Sequence, residues 1–136
     1  MWILMDSEYI PDIRISVPLV TSYVHIWHGR YELQEWLKEK GIVLNFTMTK
    51  GCALYLTDPD GRGWMVMLLP KKTPIPTIAH ECIHMAWQIC DHIGVSVRSK
   101  DQEMLCRIAE FLLDEILQFK EYRKLPSITR EALAGT

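Results

Sequence analysis

Apolar and polar positions change their period along the chain, and each change predicts an element. Ile13, Ile15, Val17 and Leu19 alternate with Arg14, Ser16 and, further on, Thr21, and the apolar run continues through Tyr23, Val24, Ile26 and Trp27. A period of two predicts a strand within residues 11–28, which Pro11 and Pro18 either confine to a sheet edge or break. Over residues 31–40 the period lengthens. Leu33, Trp36 and Leu37 share one side, Glu32, Glu35, Lys38 and Glu39 the other, and Gly41 stands where a helix C-terminus wants a glycine. Residues 42–48 and 52–57 then read as strands separated by Gly51. Asp58-Pro59-Asp60-Gly61-Arg62-Gly63 has turn chemistry, and residues 64–69 are again strand-like, so residues 52–69 predict a β-hairpin.

Past the connector Lys71-Lys72-Thr73-Pro74-Ile75-Pro76 the pattern changes once more. Residues 76–92 are apolar on nearly all sides, which predicts a central, buried helix. Pro74 and Pro76 suit its first turn, where a missing N–H costs nothing, and Gly94 ends it. Ser99 is placed to cap a last helix running to about Tyr122, before Pro126. The expected fold is therefore α+β, with one domain over residues 1–125 and a tail over 126–136. Neither a βαβ nucleotide unit nor a glycine-rich phosphate loop is visible.

Composition narrows the classes. A chain of 136 residues with 49% hydrophobic and 24% charged residues can bury a core without disulfide staples. The net charge is −2 with no basic block, so nucleic acid is not an expected partner. No apolar run reaches the roughly 18 residues that span a bilayer, so no membrane association is expected. Met1-Trp2-Ile3-Leu4-Met5-Asp6 lacks the basic start of a signal peptide. Cys52, Cys82, Cys90 and Cys106 form no C-x-x-C pair and read as reduced, buried thiols, which suggests a cytoplasmic protein.

The candidate chemistry lies in His80-Glu81-Cys82-Ile83-His84, an H-E-x-x-H pattern inside the predicted buried helix. Residues four apart on a helix share a face, so two imidazoles can bind one zinc ion while Glu81 reaches a metal-bound water. Two histidines and a glutamate in a buried helix need partners, and zinc would be one. The third ligand decides the class. A metzincin would need Gly three residues after His84 and His six after, where this chain has Trp87 and Cys90. Without that glycine the helix carries Cys90 away, and Asp91 lies about 10 Å along the axis from His84. His92 points to another side. Glu103, near the start of the next helix, is the expected third ligand, with Glu110 as its rival.

Those residues, with Glu103-Met104-Leu105-Cys106-Arg107-Ile108-Ala109-Glu110-Phe111-Leu112-Leu113, carry a resemblance over residues 64–120. The chain resembles small H-E-x-x-H peptidases encoded by bacteriophages, and gluzincin-like metallopeptidases of mobile elements that cleave repressors. The resemblance implies a minimal zincin-like fold, in which a small, mostly antiparallel sheet packs on the central H-E-x-x-H helix, beside a Glu-bearing C-terminal helix and one earlier helix. It also implies zinc held by His80, His84 and Glu103, Glu81 as general base and acid, and a peptide or protein substrate in a host cytoplasm. Arg107 stands where thermolysin-like enzymes place an acid that orients a ligand histidine. Tyr55, Tyr122 and Arg107 are the candidates for stabilising an oxyanion, unranked. A zincin-like binding or regulatory protein that cleaves nothing is the competing expectation, followed by an interaction protein in which the motif is accidental. Smaller features read as structural: His25 and His28 on opposite faces of a strand, Lys71-Lys72 in a loop, and Glu115, Lys120, Glu121 and Arg123 on an exposed helix side.

Overall fold

The single strand expected within residues 11–28 is two, β1 (Ile13–Ser16) and β2 (Tyr23–Trp27), broken around Pro18 and paired antiparallel with Ile13 opposite Ile26 and Ile15 opposite Val24. The structure, a computed structural model, describes residues 9–18, 20, 22–44, 51–97 and 102–119. Leu19, Thr21, the second half of the strand expected over 42–48, the Ser99 cap, Lys120, Glu121, Tyr122, Arg123 and the tail expected over 126–136 lie outside these residues. The described residues divide into two units, one up to Pro70 and one from Lys71 onward.

The first unit holds β1 and β2, then α1 (Arg30–Glu39), then β3 (Cys52–Thr57) and β4 (Gly63–Leu68). Residues 42–44, expected as the start of a strand, are not part of one. The sheet order is β1-β2-β4-β3. The β3–β4 hairpin forms as the turn chemistry predicted, with Thr57 opposite Gly63. Its turn closes on Asp58, whose Oδ1 accepts from the amides of Asp60 and Arg62, while Gly61 takes φ 86°. The β2–β4 pair is parallel, with His25 opposite Val66 and Trp27 opposite Leu68, so the sheet is mixed. Pairing with β2 on one edge and β3 on the other puts β4 in the sheet interior, in keeping with its burial from Trp64 to Leu68.

On one side of the sheet Trp27, Cys52, Trp64, Val66 and Leu68 pack with Leu33, Trp36 and Leu37 of α1 and with Ile42. The alternate residues Ile13, Ile15, Val24, Ile26, Met65 and Met67 are buried as well. Helix α1 ends as its sequence predicted. Gly41, at φ 81°, lets the Ile42 amide turn back to the carbonyl of Leu37 at 2.9 Å.

The second unit holds α2 (Ile75–Ile93) and α3 (Gln102–Leu117), which pack against each other. Pro74 caps α2 in an extended conformation, and Pro76 sits in its first turn. At the other end Gly94 adopts φ 81° and the Val95 amide reaches the carbonyl of Cys90 at 2.8 Å. Ile78, Glu81, Cys82, Met85, Ala86, Ile89 and Cys90 form the buried side of α2, and Leu105, Ile108, Leu112 and Ile116 that of α3.

Candidate metal centre

The expectation that α2 is buried all round does not hold. Advancing 100° per residue, its buried positions occupy one side, and His80, Ile83, His84, Trp87 and Asp91 form an exposed stripe on the other. Two of the apolar residues that made the helix look buried, Ile83 and Trp87, are 51% and 52% exposed. The H-E-x-x-H motif therefore straddles a boundary, with both histidines outside and Glu81 inside, 8% exposed.

Helical spacing brings the two imidazoles together as the motif requires. Their Nε2 atoms lie 3.1 Å apart, and the rings meet edge to face with centroids 4.7 Å apart. An Nε2–H···Nε2 hydrogen bond accounts for that contact. The spacing also suits zinc, because two nitrogens each about 2.0–2.1 Å from a tetrahedral ion lie about 3.3 Å from one another. Burial pushes the Glu81 carboxyl above the usual carboxylate range, and the nearby imidazoles pull it partly back.

The expected third ligand stands elsewhere. Glu103 is on the exposed side of α3, opposite the stripe of Leu105, Ile108, Leu112 and Ile116, and its Oε1 lies 3.2 Å from Nε of Arg107. Glu110 shares that exposed side. Among the described residues no three His, Cys, Asp or Glu side chains converge as a metal-binding group. The structure thus brings His80 and His84 together, holds Glu81 one residue away, and does not add Glu103 or Glu110 to them. Sulfur is a poor substitute, since burial raises the thiol of Cys82 to about 12 and also raises that of Cys90. Cys106, read as buried from the sequence, is exposed. Of the oxyanion candidates, Arg107 is engaged by Glu103, and Tyr55 lies on β3 of the first unit, so close to Gly63 that a Cβ there would overlap its hydroxyl.

No family model matches the chain, and none of the curated proteins or solved structures matches it.

A second constellation escaped the sequence reading. His25, taken as an ordinary strand histidine, is 9% exposed and packs against Trp36 and Trp64, with centroids at 5.3 and 5.8 Å, while those two rings meet each other at 5.3 Å. Its Nδ1 and the Nε1 of Trp27 are buried without hydrogen-bond partners. Lys40 lies over both Trp36 and Trp64, at 4.6 and 4.2 Å, and Arg62 lies over Trp64 at 4.3 Å. The indole N–H of Trp64 donates to Asp58 at 3.0 Å. Desolvation, helped by Arg14, Lys40 and Arg62, brings His25 down to about 4, against a backbone hydrogen bond to Met65 that favours its proton. The signal was available: His25, Trp27 and Trp64 fall on one face once β2 and β4 are paired. That pairing was not legible.

Proposed function

We propose that the chain is a zinc-dependent metallopeptidase-like protein of minimal zincin type, acting on a peptide or protein substrate in a cytoplasm. One observation carries the reading: two imidazole nitrogens converge to 3.1 Å beside a buried carboxylate on the same helix. His80 and His84 would hold the ion, and Glu103 would complete the donor set. That step requires Glu103 to leave Arg107, an exposed pair of a kind worth about 0–1 kcal/mol, and α3 to turn the side that carries Glu103 towards the histidines. Zinc in such a site acidifies a bound water and polarises a carbonyl. Glu81, held at the edge of the buried side with its carboxyl raised, suits a group that takes a proton and returns it to a leaving amine.

A second reading, a zincin-like binding or regulatory protein without proteolytic activity, is favoured by a different observation. Glu103 is paired with Arg107 on the outer side of α3, and no third donor stands with the histidines among the described residues. Cleavage of lysate proteins by wild type and by Glu81→Gln separates the two. The proposal expects products from wild type that the variant fails to make. Identical profiles would remove the peptidase and leave the zinc site in place.

A further inference from the structure

The exposed stripe of α2 carries a metal-binding pair that is incomplete by itself, set in a surface with little charge. Ile83 lies beside His84, and Trp87 follows one turn on, each about half exposed. The only carboxylate of the stripe, Asp91, is seven residues beyond His84, about 10 Å along the axis. Exposed aromatic and aliphatic side chains around a core poor in charge are what a protein–protein interface presents. A tetrahedral zinc held by His80 and His84 would keep two positions for donors from outside the pair. An isologous two-fold contact repeats the same patch on both partners, so one axis through the ion would supply two further imidazoles.

We propose that two copies of this chain share one zinc ion through His80 and His84 of each, with Ile83 and Trp87 packed across the contact between their α2 helices. The inference rests on zinc binding by the histidine pair in the proposed function and adds the regulation of that site. Four imidazoles leave zinc no open position, so the dimer is the closed form and the separated chain the open one. Two apolar side chains per copy fall far short of the roughly 1,200–2,000 Å² that stable interfaces bury, so association depends on the metal.

The test is the mass of the full chain in solution, by sedimentation or light scattering, as zinc is added to chelator-treated protein. The mass is expected to double as zinc reaches about half an equivalent per chain, and to return to the monomer value with chelator. His84→Ala should lose both zinc binding and doubling. Trp87→Arg, a change on an exposed position, should keep zinc binding and lose the doubling by setting like charges across the axis. A chain that binds one zinc and stays monomeric throughout overturns the shared site while leaving the zinc reading intact. A dimer that persists in chelator, or a doubling retained by Trp87→Arg, also overturns it. Absence of zinc binding in wild type overturns both readings.

Discussion

At His25 the imidazole packs against both Trp36 and Trp64, with Arg14, Lys40 and Arg62 as the charges that act on it. A proton there is opposed by desolvation and by three cations, so the folded chain binds it only near pH 4, against about 6.5 when unfolded. Unfolding therefore takes up a proton between those values, and the histidine lowers stability progressively as pH falls from about 6.5 to 4. Above 6.5 it contributes nothing; below 4 the loss levels off at about 3 kcal/mol. Urea unfolding at pH 7 and pH 4 should show wild type losing about that much more than His25→Phe, which keeps a ring in the cluster and removes the titration. An equal loss in both proteins would place the acid sensitivity elsewhere. At the candidate site the carboxylates differ in expected role. In the Trp87→Arg background, which keeps the chain monomeric, Glu103→Ala should weaken zinc binding at least tenfold and Glu110→Ala by less than twofold, roughly 1.4 kcal/mol against a few tenths. Zinc titration calorimetry checks this, and the reverse order would transfer the ligand to Glu110.

At the scale of elements, Gly94 ends α2 in the left-handed region with open space around the position a Cβ would occupy. Gly94→Ala should then cost about 1 kcal/mol through backbone strain alone, read as a lower urea midpoint at unchanged slope. A neutral substitution would mean that the helix ends differently in solution. The ends of α1 and α2 were legible because glycine and proline act locally, and the 52–69 hairpin because its turn residues sit between two apolar runs. The split at Pro18 was left open by the sequence, and the parallel β2–β4 pairing joins residues about forty positions apart, beyond any local pattern. The burial of α2 was misread because Ile83 and Trp87 put apolar side chains on its outer stripe. Its polar residues gave the better signal, since His80, His84 and Asp91 recur on one side. The same reading of α3 places Glu103, Arg107, Glu110 and Asp114 together and opposite Leu105, Ile108 and Leu112.

At the scale of the whole molecule, the α+β class stands, with four strands in a mixed sheet and three helices among the described residues. No helix among them is long and apolar enough to cross a membrane. The candidate chemistry belongs to the second unit and the tryptophan cluster to the first, so metal and acid sensitivity are expected in different parts of the chain. Zinc that binds only the folded chain should raise its stability by RT ln(1 + [Zn]/Kd), about 2.7 kcal/mol at a hundredfold excess over Kd. The central claim is that His80 and His84 form a zinc site, and calorimetric titration of zinc into wild type and His84→Ala tests it most directly. Wild type is expected to bind zinc saturably at no more than one ion per chain, and the variant to lose that binding. Identical titrations of the two proteins would contradict it.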